Sequence, residues 1–455
     1  MKSLNDYAIK SGQLGKMSGV SLAVHAVPDA FLLMHTGVGC KYKAASQIAN
    51  HDWQVHPNRR EGWTEVGDRA LIKGSAERIG PYMRTWSQRR DPAFIAMVTA
   101  TFLQMTGEDF KAAAQKAADY LECPCAVIAT EGFRGDLFEG YAQLLLELIR
   151  QVDWDKKPSR PKEVGLLGYF FDRYEADHIG NLQQIRFLLN GIGLNLGPSM
   201  LSGRPYDELM QIRRCGLLLG TPYLRPIRAD VDKICSRPLH SVDLPLGLRG
   251  TARWVRQVAK AAKVSLERAD KFISGQVSYA KSRLSRLSEE HMRGLEVAVF
   301  AETPYAAGVC SMLIELNLQP ILIGLRDSSL GGVEEFQRIL KADGVELPDK
   351  AEVLVQPSLR LIRSKFIELL KQHRLTGIFG TSAELNLLST ISSADLLEPE
   401  SMFPPSQAEG RVFGVEIGFP STSHHAFHAE PLMGFGGAVV FAQRIMQQAT
   451  HYSLL

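Results

Sequence analysis

Alternating apolar and amphipathic segments constrain the fold of this chain more than any other feature of its sequence. The apolar segments have five to eight residues, which suits strands buried on both faces. Helical periodicity follows most of them, and such strand–helix units build parallel sheets covered by helices. The predicted strands are "AFLLMHT" near residue 30, "AFIAMVTA" at 93–100, "CAVIATE" near 128, "VGLLGYF" at 164–170, "GLLLGT" at 216–221, "EVAVFAE" at 296–302, "QPILIGL" at 319–325 and "GIFGTS" at 377–382.

The strand–helix unit restarts twice along the chain. Predicted helices cover residues 141–152, 181–193, 306–317 and 437–449. One restart follows the polar, proline-bearing segment 153–163, and the other follows a long charged helix predicted over 265–294. A chain of 455 residues is too long for one hydrophobic core. We therefore predict an α/β fold of three doubly wound, Rossmann-like domains that cover residues 1–160, 161–292 and 293–455.

The composition is that of an ordinary globular protein. Hydrophobic residues make up 45% of the chain, charged residues make up 22%, and the formal net charge is +3. These values argue against a disordered chain and against a nucleic-acid scaffold. The N-terminal segment has no apolar core of signal-peptide length, and no run of about 18 apolar residues occurs. We expect a cytoplasmic protein whose partners include neither nucleic acid nor a membrane.

The cysteines separate into one candidate ligand and five packing residues. They are Cys40, Cys123, Cys125, Cys215, Cys235 and Cys310. In a reducing compartment we expect thiols or metal ligands rather than disulfides. Cys123 and Cys125 flank a proline at the start of an apolar run, which favours strand packing over metal or redox chemistry. The last three lie in apolar or mixed segments and are predicted to be buried.

Cys40 lies in the segment "MHTGVGCKYKAA", residues 34–45, directly behind an apolar run. The pattern predicts a thiol on a tight turn between a buried strand and a helix. In doubly wound sheets, ligands collect at the carboxyl ends of the strands. Two interpretations of Cys40 follow from the residues alone, a thiolate ligand and a buried structural cysteine.

Five segments, taken in order, resemble β-type subunits of the nitrogenase component 1 superfamily. The first is the Cys40 segment, which resembles a cluster-ligand loop. The others are "TATFLQMTGEDF" at 99–110, "DHIGNLQQIRFLLNGIGLN" at 177–195, "VDLPLGLRGTARWV" at 242–255 and "IGFPSTSHHAFHAEPLMGFGGAV" at 417–439. The resemblance runs from about residue 15 to residue 448, which is nearly the whole chain. The resemblance implies the three-domain fold of that superfamily.

The resemblance also implies an iron–sulfur cluster at Cys40. The β chain of the molybdenum-iron protein gives three cysteines to an eight-iron P-cluster, and only Cys40 matches one of them. The second position falls within residues 58–66, which hold no cysteine, and the third falls near Thr101. A [4Fe–4S] cluster shared with an α-type partner is therefore favoured, and a larger P-cluster-like cluster is the alternative. Cys40 would be the metal ligand, with Gly37, Gly39 and Thr101 beside the cofactor.

Thr101, Gln104 and Glu108 have two interpretations. In the family, an ATP-dependent iron-protein reductase docks above the shared cluster. The resemblance thus implies that these three residues lie near the docking face, as surface groups or behind the ligands. The alternative is that they are ordinary residues at the start of a helix.

Three histidines form a second constellation near the C-terminus. His424, His425 and His428 lie in "STSHHAFHAEP", residues 421–431. Histidine can bind metal or donate a proton near neutral pH. The simpler interpretation, hydrogen-bonded loop histidines, is favoured.

The resemblance implies an oxidoreductase subunit that works in an α2β2 heterotetramer with an α-type partner. An ATP-dependent iron-protein homodimer would supply the electrons. A reductase of small organosulfur compounds such as methylthio-alkanes is favoured. The alternatives are the β-type subunit of the nitrogenase cofactor-assembly scaffold and a tetrapyrrole reductase subunit. No catalytic residue is assigned in this chain.

Overall fold

Parallel sheets form the framework of the protein, which is described here from a computed structural model. The structure describes residues 14–40, 60–128, 130, 135–169, 177–396, 412–418 and 428–451. Within these ranges the strands form three sheets. Strands at the centre of a sheet are buried on both faces and read as continuous apolar runs, as expected for a parallel sheet covered by helices.

The first sheet has the strand order β2-β1-β3-β4, and its strands run parallel. Its strands are β1 (Ala30–His35), β2 (Glu61–Trp63), β3 (Phe94–Thr99) and β4 (Cys125–Ile128). The helices of this part of the chain are α1 (Lys16–His25), α2 (Asp68–Lys73), α3 (Ile79–Arg90), α4 (Thr101–Gln104), α5 (Phe110–Leu121) and α6 (Leu137–Arg150). A 3₁₀ turn covers Ala76–Arg78. All residues of β1 and β3 are buried, which places the core at this pair.

Helices α1 and α6 approach each other closely at two glycines. A Cβ on Gly19 would lie 1.9 Å from the carbonyl oxygen of Leu137, and a Cβ on Gly140 would lie 2.0 Å from that of Lys16. The backbones therefore touch where any side chain would separate them. Helix α6 begins after Asp136, whose side chain accepts a hydrogen bond from the amide of Glu139 and so caps the first turn.

The second sheet has the strand order β6-β5-β7-β8. Its strands are β5 (Arg160–Leu167), β6 (Asn195–Ser199), β7 (Cys215–Gly220) and β8 (Leu239–Ser241). The helices along this part of the chain are α7 (His178–Gly191), α8 (Tyr206–Met210) and α9 (Arg228–Ile234). Strand β7 pairs in parallel with β5 and β8.

The third sheet has the strand order β11-β10-β9-β12-β13, and its strands run parallel. Its strands are β9 (Glu296–Ala301), β10 (Gln319–Leu325), β11 (Glu352–Val355), β12 (Gly377–Gly380) and β13 (Phe413–Glu416). The helices are α10 (Gly247–Ala261), α11 (Leu266–Glu290), α12 (Thr303–Glu315), α13 (Gly332–Asp343), α14 (Leu359–Lys371), α15 (Ser382–Leu388), α16 (Ser393–Leu396) and α17 (Gly434–His451). In the described part of the chain, none of the helices is both long and apolar enough to span a bilayer.

The described chain divides into two compact units. One unit holds residues 14–169 and 196–241, which contain the first sheet and most of the second. The other holds residues 177–195 and 242 onward, which contain the third sheet. The α/β fold built from three parallel sheets is confirmed, whereas the domain boundaries at residues 160 and 292 stay a prediction.

The eight predicted strands are all present, and the long charged helix is α11. Five strands were not predicted, namely β2, β6, β8, β11 and β13. Each of them is an edge strand in its sheet. An edge strand packs against one neighbour only, so it needs less apolar sequence than a central strand and gives a weaker pattern.

Candidate functional site: a cysteine turn at the switch point of the first sheet

The strand order of the first sheet creates a crevice between the ends of β1 and β3. The chain leaves β1 towards β2 on one side and returns to β3 on the other side, so the direction of winding reverses between these two strands. Ligands of doubly wound sheets bind outside the carboxyl ends of the strands at this switch point. The turns that follow β1 and β3 therefore form the candidate site.

The turn after β1 carries Cys40. His35 is the last residue of β1, a helix begins at Val38, and Cys40 is the third residue of that helix. The thiol is half-buried. The structure thus has the strand, tight turn and helix start that the sequence predicted. We call residues 36–40 the Cys40 turn.

The glycines of the Cys40 turn differ in their surroundings. A Cβ on Gly37 would lie 3.5 Å from the carbonyl oxygen of Val66 and 3.6 Å from the Cζ atom of Phe102. These are ordinary contacts, and they bring the turn after β3 against the Cys40 turn. Among the residues that the structure describes, none has an atom within 4 Å of a Cβ on Gly39. The described residues therefore do not enclose this glycine, which directly precedes Cys40.

The turn after β3 carries Thr101, which begins helix α4 and is half-buried. The amide of Ala100 donates to the carbonyl oxygen of His35 at 3.0 Å, which joins this turn to the end of β1. Gln104 is exposed, and its side chain donates to Thr99 Oγ1 at 3.3 Å. Thr101 therefore follows the carboxyl end of β3 directly, at the switch point.

The end of β2 is a third strand end beside the Cys40 turn. The amide of Val66 donates to the carbonyl oxygen of Thr36 at 2.9 Å. Glu65 precedes it, is exposed and has φ 50°, a left-handed conformation that is uncommon outside glycine. Its carbonyl oxygen accepts a hydrogen bond from Arg78 at 3.4 Å. Glu65, whose side chain is a carboxylate, thus lies in the segment 58–66, where the family resemblance places a second ligand.

A buried polar network lies behind the Cys40 turn. The Nδ1 atom of His35 lies 2.9 Å from Thr64 Oγ1, and its Nε2 atom lies 3.0 Å from Ser75 Oγ. Ser75 Oγ donates to Glu108 Oε1 at 3.0 Å, and the amides of Ser75 and Ala76 donate to Glu108 Oε2 at 2.7 and 2.8 Å. Glu108 was a candidate from the sequence. The sequence reasoning missed His35 and Ser75; the only local signal was a histidine at the end of an apolar strand.

Burial and hydrogen bonds set the charge states of this network. Burial lowers the pKa of His35 to about 4, against a smaller opposite effect of Glu108 and with a further lowering by Arg78. His35 is therefore neutral near pH 7. Burial raises the pKa of Glu108, but the hydrogen bonds from the Ala76 and Ser75 amides and the Ser75 hydroxyl outweigh it, so the net pKa is lowered. Glu108 is therefore a carboxylate.

The other cysteines fit the predicted packing role. Cys123 is buried and its Sγ atom lies 3.2 Å from the carbonyl oxygen of Pro92. Burial raises the pKa of the Cys123 thiol to about 11 and that of Cys125 to about 12. Burial likewise raises the thiol pKa of Cys215 to about 12 and of Cys235 to about 11. A buried, protonated thiol is a poor nucleophile and a poor metal ligand.

The C-terminal histidine cluster falls largely outside the described residues. His424 and His425 are in the part of the chain that the structure does not describe. His428 is exposed, and its Nε2 atom lies 3.4 Å from Glu430 Oε1. Glu430 also pairs with Arg444 at 2.9 Å. His428 thus lies at the surface with a carboxylate beside its ring, which is compatible with the simpler interpretation as a loop histidine.

The residues of the Cys40 turn fit one corner of an iron–sulfur cluster. The turn offers a half-buried thiol at the carboxyl ends of the strands, where ligands of such sheets bind. Within the residues that the structure describes, no group of three or more His, Cys, Asp and Glu side chains is arranged to hold a metal ion. The ends of β2 and β3 offer oxygen rather than sulfur. This donor set fits a cluster with one thiolate from this chain and does not fit one held by three.

The fold is similar to that of a solved nitrogenase structure, nitrogenase Cp1 at pH 6.5, with a TM-score of 0.75. The similarity covers 96% of this chain and 92% of that chain at 14% sequence identity. At this identity the likeness shows the fold.

Two curated relatives extend the comparison to sequence. The nitrogenase molybdenum-iron protein beta chain of Frankia alni is 22% identical over 453 residues, covering 92% of this chain and 78% of that protein. The nitrogenase iron-molybdenum cofactor biosynthesis protein NifE of Methanosarcina barkeri is 20% identical over 378 residues, covering 76% of each. The family model described as nitrogenase component 1 type oxidoreductase matches residues 16–450. The chain therefore belongs to the nitrogenase component 1 type oxidoreductase family and is similar to its beta chains.

Proposed function

We propose that this chain is the β-type subunit of a nitrogenase-like two-component reductase and that Cys40 binds an iron–sulfur cluster shared with an α-type partner. One observation carries the proposal. Among the six cysteines, Cys40 is the one that follows the carboxyl end of a strand at a sheet's switch point. The other five lie at the start of a strand, outside the strands or within a helix.

The chemistry of the turn supports a thiolate ligand at Cys40. Cluster iron prefers soft thiolates, and four ligands complete a [4Fe–4S] cluster. The Cys40 thiol is half-buried, and none of the described residues fills the Cβ position of Gly39 directly before it. When bound, such a cluster supplies one-electron transfer between an external donor and the partner's substrate site. This chain's residues hold the ligand in place and bury the turn behind it.

A [4Fe–4S] cluster is favoured over a larger P-cluster-like one because of the other strand ends. The family resemblance places the further cysteines within residues 58–66, which hold no cysteine, and near Thr101. Oxygen ligands are harder than thiolates and suit cluster iron less well. The remaining ligands would come from the α-type partner, which makes cluster binding depend on assembly of the complex.

The partners follow from the same proposal. We expect an α2β2 complex with the α-type subunit and an ATP-dependent iron-protein homodimer as electron donor. The turns after β1 and β3 are the surface above which this donor would dock. Gln104 and Phe102 are exposed there and would meet it.

The favoured substrate class is the methylthio-alkanes. Reductive cleavage takes two electrons and two protons: the C–S bond breaks, a C–H and an S–H bond form, and a hydrocarbon and a thiol leave. The electrons come from the iron-protein donor and the protons from water. The competing proposal is a scaffold that matures a cluster, and the similarity to the NifE biosynthesis protein supports it.

An activity assay separates the two proposals. The complex purified with its α-type partner would be mixed with the donor, ATP, dithionite and a methylthio-alkane, and hydrocarbon and thiol would be measured by gas chromatography. The reductase proposal predicts sustained product that needs both ATP and donor, with the reactions lacking either as controls. Cluster transfer to an apo-acceptor without product from any methylthio-alkane would contradict it in favour of the scaffold.

A further inference from the structure

His35 contacts the ends of β2 and β3, the two described strand ends that lie beside the Cys40 turn. It ends β1, directly before the turn, and its carbonyl oxygen accepts the amide of Ala100 at the end of β3. Its ring is hydrogen-bonded through Nδ1 to Thr64 at the end of β2 and through Nε2 to Ser75. The ring also packs on Phe110, with ring centroids 4.8 Å apart. The side chain is fully buried. This residue therefore couples the positions of all three strand ends.

The hydrogen bonds through His35 have one direction. The Glu108 carboxylate can only accept, so the Ser75 hydroxyl must donate its single proton to it. The Ser75 oxygen must then accept from His35 Nε2–H. Because the ring is neutral, Nδ1 is an acceptor, and the Thr64 hydroxyl donates to it.

The chain of hydrogen bonds ends on the backbone of the Cys40 turn. With its proton given to His35, the Thr64 oxygen accepts the amide of Thr36 at 3.3 Å. Thr36, Thr64, His35 and Ser75 each have 0% of their surface exposed, so water does not replace these partners. The Glu108 carboxylate thus fixes the Thr36 amide, which is the first amide of the Cys40 turn. It does so through the buried side chains of Ser75, His35 and Thr64.

We infer that His35 is a positioning residue for Cys40. As the Nε2–H tautomer, it donates to Ser75 and accepts from Thr64, so the acceptor Glu108 sets the direction of each hydrogen bond as far as the Thr36 amide. This arrangement fixes the Cys40 turn. The inference rests on the proposed function only for the identity of the group that Cys40 holds. The arrangement of the hydrogen bonds is a property of this chain. Residues behind the ligands of a metal site orient those ligands, and their loss weakens metal binding.

We expect the substitution Glu108→Gln to reverse the direction of the hydrogen bonds that run through Ser75 and His35 to Thr64. The Ser75 and Ala76 amides both donate to one oxygen of Glu108, so they hold the amide oxygen of glutamine there. The glutamine NH₂ group then faces Ser75 Oγ and donates to it. The Ser75 proton turns towards His35, which must become the Nδ1–H tautomer and donate towards Thr64. The Thr64 oxygen then accepts from both the His35 ring and the Thr36 amide, and the Thr64 proton loses the acceptor that His35 Nδ1 gave it, which disturbs the contact that holds the Cys40 turn.

Nitrogen NMR of the full chain tests the tautomer without any metal. The chain would be labelled with ¹⁵N-histidine, and the His35 signal would be assigned with a His35→Asn variant. We expect a neutral Nε2–H ring in the wild type and an Nδ1–H ring in Glu108→Gln. Asp109→Asn is the matched control, since it removes one carboxylate charge at the next residue, which caps α5 at Ala112 and does not touch Ser75. A cationic ring at pH 7, an Nδ1–H ring in the wild type or an unchanged tautomer in Glu108→Gln would overturn the inference.

Iron release from the assembled complex tests the effect on Cys40. With an iron chelator, we expect iron to leave about tenfold faster from Glu108→Gln and Ser75→Ala than from the wild type. Ser75→Thr, which keeps the hydroxyl, and Asp109→Asn should release iron at the wild-type rate. Equal rates in all variants of an iron-loaded complex would overturn the positioning role and leave the proposed function standing.

A complex that holds no iron would contradict the proposed function, and Cys40 labelling by iodoacetamide then replaces iron release as the readout. Faster labelling of Glu108→Gln than of Asp109→Asn supports the positioning role, and equal labelling overturns it.

Discussion

Replacing Cys40 with alanine is expected to remove the shared cluster from the complex and to leave the fold intact. The thiolate is the one ligand that this chain is proposed to give, and a methyl group cannot replace it. The thiol is only half-buried, so its loss should change the free energy of unfolding by less than about 0.5 kcal/mol. Iron quantitation and EPR of the anaerobically purified complex would measure the first effect, and urea unfolding would measure the second.

Two variants make the Cys40 prediction specific. Cys40→Ser should retain a weakened cluster, because an alkoxide is a harder and poorer ligand for this iron. Cys125→Ala is the matched control, since Cys125 is also half-buried but begins β4, away from the carboxyl ends of the strands. Iron content and EPR signal that are unchanged in Cys40→Ala would show that the assignment of the ligand is wrong.

Introducing valine at Gly140 is expected to disrupt the unit that carries the Cys40 turn. A Cβ there would overlap the backbone of Lys16, which cannot move without separating α1 from α6. Overpacking typically costs about 1–3 kcal/mol, and overlap with the backbone places this variant at the upper end of that range. We expect little soluble protein, and urea unfolding of what remains should show the loss of stability. Gly19→Val should behave in the same way, because a Cβ on Gly19 overlaps Leu137.

Gly275→Ala is the control for the glycine variants. Gly275 lies inside helix α11, and none of the described residues has an atom within 4 Å of a Cβ there. Alanine should leave stability unchanged or raise it by up to about 1 kcal/mol, since glycine is a poorer helix former. If Gly140→Val unfolds at the same urea concentration as Gly275→Ala, the close approach of α1 and α6 is not a feature of the protein.

The sequence predicted the central strands because burial on both faces requires continuous apolar runs, as in β1 and β3. It did not predict β2, whose segment "EGW" contains a glycine and a glutamate and has no apolar run. Its place at the sheet edge comes from pairing with β1, where Leu32 lies opposite Glu61. Pairing partners are set by tertiary packing, which a local pattern does not contain.

The candidate site was partly predictable for a similar reason. Placing Cys40 and Thr101 after strands required only local patterns. Placing their turns side by side required the strand order β2-β1-β3-β4, because the switch point exists only in the assembled sheet. The network through His35 was beyond local reasoning, since Ser75 lies 40 residues from His35 in the chain. Such contacts appear only when the sheet brings distant turns together.

The proposal that Cys40 holds a cluster shared between two subunits is tested by iron content and EPR of this chain, purified anaerobically alone and together with its α-type partner. We expect about four interface iron atoms per pair of subunits, with a cluster signal that appears only in the complex and is lost in Cys40→Ala. A colourless, iron-free complex, or a cluster signal that is the same with and without Cys40, would contradict it.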